Sequence, residues 1–83
     1  MVSLFNLGVA FYNADKKYEA AECFKRAIKF NPIFTEAIVS LGFILNHFGY
    51  FDQAIQLFKR AENISNDSAL LFFGLGYAYR KKN

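Results

Sequence analysis

Eighty-three residues, 54% apolar and with a formal net charge of +3, suffice for one small domain but leave no room for a loosely packed core. The lone Cys23 excludes an internal disulfide and suits a reducing compartment, and the longest apolar run, 69–79, is too short to cross a bilayer. No basic-then-apolar leader opens the chain, so a cytoplasmic protein that does not enter membranes is expected.

Leu4, Leu7, Gly8 and Phe11 recur at three- and four-residue steps and predict a first helix over about 2–14. Asp15 stands where an N-cap would open a second, which carries Ala20, Cys23, Phe24 and Ala27 and ends near Phe30. Asn31-Pro32 makes the turn, because proline has no amide hydrogen with which to continue a helix. A third helix, about 35–48, carries Ile38, Leu41, Gly42 and Leu45 and stops at Gly49, a residue suited to a left-handed cap. The fourth, about 51–63, holds Ala54, Phe58 and Ala61; the polar break Ser65-Asn66-Asp67 follows, and a fifth runs over about 68–82. Five helices and no strand make the chain all-α.

The organising signal is a period. Gly8, Gly42 and Gly76, each preceded by leucine, lie 34 residues apart (42 minus 8, 76 minus 42). Ala20, Phe24 and Ala27 return one period later as Ala54, Phe58 and Ala61, and Phe72, Leu75, Gly76 and Tyr79 begin a third unit. The chain divides into units at 1–34 and 35–68, with 69–83 as the first helix of an incomplete third. Such units cannot bury their apolar faces alone and must stack. Glycine or alanine at a helix crossing lets backbones approach, so Gly8 is expected against Ala20 and Gly42 against Ala54.

In these positions the sequence resembles the tetratricopeptide repeat, whose signature is a large apolar residue, Leu-Gly, an aromatic, Ala, Phe or Tyr, Ala and a closing Pro. Leu45 stands where an aromatic is usual, Asn66 replaces the second closing proline, and the aromatic near the start of the second helix falls at Tyr18. The resemblance implies antiparallel helical hairpins stacked as a right-handed α-solenoid, with the first (A) helix of each unit on the concave face. By the same resemblance the positions facing that groove are Val2, Phe5, Asn6, Val9, Tyr12 and Asn13; Glu36, Val39, Ser40, Phe43, Asn46 and His47; and Leu70, Phe73, Gly74, Tyr77, Arg80 and Lys81.

What the resemblance implies is a non-catalytic module that binds an apolar peptide or helix within a larger scaffold, with Phe5, Asn6, Val9, Tyr12, Val39, Phe43, Asn46, His47, Phe73 and Tyr77 as contacts. Several of these, Val39 and Phe43 above all, are equally readable as core. Family members that hold the acidic tail of heat-shock chaperones use lysine, asparagine and arginine where this chain has Phe5, Val9, Ser40, Leu70 and Gly74, so that activity is not expected. The asparagine ladder that grips an extended backbone in glycosyltransferase-type arrays survives only at Asn6.

The unfinished third unit gives an alternative. Phe72, Leu75 and Tyr79 form a stripe that in a whole unit meets a following helix, so open ends are expected to pair with another copy, with or without exchange of helices. Lys25, Arg26, Lys59 and Arg60 recur one period apart as a solvated convex face, too sparse for nucleic acid, and Glu22 is spaced to pair with Arg26. His47 has no cysteine or carboxylate cluster at ligand or triad spacing, and no phosphate-cradling glycine loop is present, so neither catalysis, metal nor cofactor is expected.

Overall fold

The computed structural model describes residues 3–65 and 68–82; the expected groove position Val2 and the Asn66-Asp67 part of the polar break lie outside them. Helix α1 (Leu4–Asn13) opens on Ser3, whose Oγ accepts the Asn6 amide at 3.1 Å and so satisfies one of the free donors of the first turn. It is followed by α2 (Lys17–Phe30), α3 (Thr35–Phe48), α4 (Phe51–Ile64) and α5 (Ala69–Lys82), and the described residues contain no strand. Ser68 caps α5 by accepting the Leu71 amide at 3.3 Å. None of these helices is long and apolar enough to cross a membrane.

The two turns inside the hairpins are the same device one period apart. At the end of α3, Gly49 takes φ 86°, its amide donates to the Asn46 carbonyl, and the Tyr50 amide reaches back to Leu45 at 2.9 Å. After α1, Asp15 takes φ 63°, its amide donates to Tyr12, and Lys16 reaches back to Phe11 at 2.8 Å. This is the left-handed C-terminal cap with paired return bonds, and it corrects the expectation at Asp15. Asp15 does not cap the start of α2; it ends α1, in a backbone region that aspartate tolerates better than most residues, and its carboxylate meets Lys17 Nζ at 2.6 Å. Lys16 precedes α2 without a side-chain cap.

Packing follows the period as well. Phe24 and Phe58 are fully buried, each contributing roughly 1.5–3 kcal/mol, and the small Ala20 and Ala54 beside them have no exposed surface. The glycines serve the rings more than the alanines: a Cβ on Gly8 would lie 2.7 Å from Phe24 Cε1, and one on Gly42 2.7 Å from Phe58 Cζ. A Cβ on Gly74 would also run into Phe58 Cζ, so this one ring sits between glycines of α3 and α5. Among the described residues nothing lies within 4 Å of a Cβ placed on Gly76. The alternation of hairpins buries Leu41 to 5% while its first-unit counterpart Leu7 stays 40% exposed. Between units, Arg60 Nη2 donates to the Pro32 carbonyl at 2.9 Å and fastens α4 to the preceding turn. Cys23 is buried and free. Glu22 pairs with Lys25 at 3.6 Å rather than with the expected Arg26, both ends exposed, a pair worth little.

Candidate peptide-binding groove

α1, α3 and α5 run the same way, and their shared face holds three adjoining recesses. The widest, about 450 Å³, lies toward the helix starts and is lined by Phe5, Thr35, Glu36, Val39, Ser40, Phe43, Ser65, Ser68 and Leu70. A second, about 310 Å³, spans from Tyr12 of α1 to Leu70 of α5, over Phe24, Ser40 and Phe43. The third, about 190 Å³, lies toward the helix ends between Phe43, Asn46, His47, Phe73 and Tyr77. Phe43 borders all three. Its ring is held edge-on by Phe58 at 5.6 Å between centroids and faces Phe73 at 6.4 Å, so the centre of the groove is preset by aromatic packing.

The expected contact residues divide by burial. Phe73, 65% exposed, and Tyr12 offer free apolar surface; Phe5, Phe43 and Tyr77 are half-buried walls. Phe5 is fixed by Phe24 at 5.7 Å and Phe34 at 5.0 Å, and Tyr77 by Phe51 at 6.4 Å, with Lys81 Nζ 5.7 Å above the Tyr77 ring. Val39 is buried and shows only an edge to the widest recess. Exposed Asn6 and half-buried Val9 stand on α1 away from the three recesses.

Asn46 corrects the expectation of a free polar contact. Only 5% exposed, it donates from Nδ2 to the Gly74 carbonyl at 3.1 Å, and its Oδ1 is buried with no hydrogen-bond partner among the described residues. Its work is to join α3 to α5, where a glycine at 74 lets the two backbones come close. His47, exposed, lies at the mouth of the third recess with its ring edge-on to Phe48 at 5.2 Å. The sequence pattern marked neither Thr35 nor the two serines at 65 and 68 as groove residues; Thr35 and Ser68 sit at the starts of α3 and α5 and Ser65 at the end of α4, where the period alone cannot tell a terminal hydroxyl from a groove wall. Among the described residues no three His, Cys, Asp or Glu side chains gather as a metal site would require.

The face expected to self-associate is open on one side. Phe72 and Tyr79 are exposed, Leu75 is half-buried against the Phe58 cluster, and Lys59 Nζ lies 6.0 Å from the Tyr79 ring centre. The end of α5 is tied back to α4 by Lys82 and Asp52 at 2.6 Å.

No curated protein matches the chain. Residues 2–34 match the family model of the tetratricopeptide repeat. The Leu-Gly and Ala-Phe-Ala pattern of that matched segment returns one period on, in a second helical hairpin, so the rest of the chain is consistent with the same repeat.

Proposed function

We propose that this chain is a non-catalytic interaction module whose concave face binds an apolar segment of another polypeptide, as part of a larger scaffold and without a cofactor, in the cytoplasm. One observation carries the reading: three adjoining recesses meet at Phe43, beside a Phe73 ring that is 65% exposed. Apolar side chains kept in water at the bottom of a concave face favour a partner that removes them from it. Phe5, Tyr12, Phe43, Phe73 and Tyr77 are the contacts; His47 borders them. The test separates contact from core by using the exposed ring. Phe73→Ser is expected to lower the affinity for an apolar helical peptide at least tenfold while moving the thermal midpoint by under about 2 °C. Unchanged affinity would count against the groove.

A second reading, pairing of two copies through α5, is favoured at Gly76, which no described residue covers, whereas its counterparts Gly8 and Gly42 each lie under a phenylalanine ring. Light scattering over a range of concentrations tests it, and a particle that stays monomeric at millimolar protein removes it.

A further inference from the structure

Resting on the groove reading above, we infer that the partner segment is an amphipathic helix lying antiparallel to α1, α3 and α5, with an acidic first turn and a basic last turn. Two independent features lead there: what the groove cannot hydrogen-bond, and where its unpaired charges stand.

An extended peptide carries free amides and carbonyls that must find partners, and burying them unpaired on an apolar surface is costly. The groove floor has little to give them. The positions at which a row of amide side chains could serve are Asn6, the half-buried Ser40 and Gly74, and the buried amide of Asn46 already spends its donor on Gly74. A helix satisfies its own backbone and asks only for apolar seats. Val39, Phe43 and Asn46 border successive seats at steps of four and three residues along α3, about 6 and 4.5 Å. That spacing matches side chains at i, i+4 and i+7 of a helix lying alongside.

Charge then fixes direction. α1 carries no ionisable acid or base at all apart from Tyr12. At the starts of the helices the groove holds Glu36; at the ends Arg80 and Lys81 stand in the last turn of α5, with Lys81 Nζ 5.7 Å from the Tyr77 ring that walls the third recess. The acids near those ends are engaged elsewhere, Asp15 with Lys17 and Asp52 with Lys82, both at 2.6 Å. Among the described residues no carboxylate lies in ion-pair range of Arg80 or Lys81. Glu36 and His47, which mark the two ends of the groove along α3, are eleven residues apart (47 minus 36), about 16 Å, so a partner helix that spans the groove carries its charged turns about eleven residues apart too. A helix also favours acids in its first turn and bases in its last, so this order serves the partner's own dipole when it runs antiparallel to α5.

The probe is a pair of lactam-stapled synthetic helices of about fourteen residues with the same three leucine anchors. One has two glutamates in its first turn and two lysines in its last; the other has these exchanged. At low salt the first is expected to bind the intact chain about fivefold to tenfold more tightly, the preference shrinking as salt is raised and reversing in Arg80→Glu/Lys81→Glu. Equal affinity, or preference for the exchanged peptide, would overturn the charge order while leaving the groove reading in place. Failure of both to bind the folded chain, alongside tight binding of an extended apolar peptide that Phe73→Ser abolishes, overturns the helical partner alone; failure of every apolar peptide overturns the groove itself.

Discussion

The Gly42 face of α3 and the Gly76 face of α5 are built from one pattern a period apart, yet the first has the Phe58 ring pressed onto its glycine and the second has no described residue within 4 Å of a Cβ placed there. The difference lies in the neighbours. α3 is covered by α2 before it and α4 after it, and it buries Ile38, Leu41, Gly42 and Ile44. α5 packs Leu71, Gly74 and Ala78 against what precedes it and leaves Phe72 and Tyr79 exposed. An A helix of this repeat is therefore apolar nearly all round, because it is made to be enclosed on more than one side.

The comparison breaks most sharply at Phe58. Its ring fills the space between Gly42 and Gly74 and thus joins α3, α4 and α5, so Phe58→Ala is expected to cost about 3–5 kcal/mol in chemical denaturation, close to the whole stability of a domain this small. Phe72→Ala and Tyr79→Ala on the open face should stay within about 0.5 kcal/mol, as exposed positions do. A loss above about 2 kcal/mol at either would mean that the open face is covered in solution.

The glycines sharpen the contrast by changing its sign. Gly42→Ala forces a methyl against a fully buried ring and should destabilise by about 1–3 kcal/mol. Gly76→Ala adds the same methyl in open space inside a helix and should stabilise by about 0.5–1 kcal/mol, since glycine is the weaker helix former. Thermal melts of the two variants at one low protein concentration decide the matter. If Gly76→Ala is destabilising, and more so at higher concentration, another copy sits on that glycine.

The period made much of this legible. Helix α3 lies at the expected 35–48, Gly49 is left-handed, and Cys23 is a buried small residue, because each follows from spacing or backbone chemistry local to the chain. What escaped were choices between equivalent local roles. Asp15 fits either a helix start or a left-handed helix end, and only the return bonds from residues 15 and 16 to Tyr12 and Phe11 distinguish them. Asn46 occupies a groove position by register, but its burial depends on how near α5 comes, which a glycine at 74 permits and no pattern within α3 records. Glu22 has both Lys25 and Arg26 within reach, and on an exposed face the selection between i+3 and i+4 is worth a few tenths of a kcal/mol.

The two left-handed turns extend the comparison to a smaller effect. Gly49→Ala puts a Cβ at φ 86° and should cost about 1–2 kcal/mol, read as a lower denaturation midpoint. At the equivalent turn Asp15→Gly removes that conformational cost but also the contact with Lys17, so it should stabilise by less than Gly49→Ala destabilises.

The smallest effects are in the charge pairs, and they set apart the end of α5 from the first turn. The hydrogen bond from Lys17 holds the Asp15 carboxyl below its ordinary value, so its contribution is present above that value of 3.8 and is lost as pH falls through the lowered pKa. The hydrogen bond to Asp52 raises Lys82 above its ordinary 10.5, so that contribution is complete below 10.5 and is lost as pH rises through the raised pKa. Both pairs are fully in place at neutral pH, and both are solvent-screened. The difference in thermal midpoint between the natural chain and Asp15→Asn should therefore vanish in acid and persist in alkali, while that for Lys82→Gln should be present at neutral pH and vanish well above pH 10.5. Because the Lys82 pair, unlike that of Asp15, bridges two helices, its loss should also loosen α5 against α4, seen as faster hydrogen exchange in Lys82→Gln at neutral pH over 69–82 and not over 4–13. Uniform acceleration along the chain would instead make α5 part of a single cooperative unit with the enclosed helices, despite its open face.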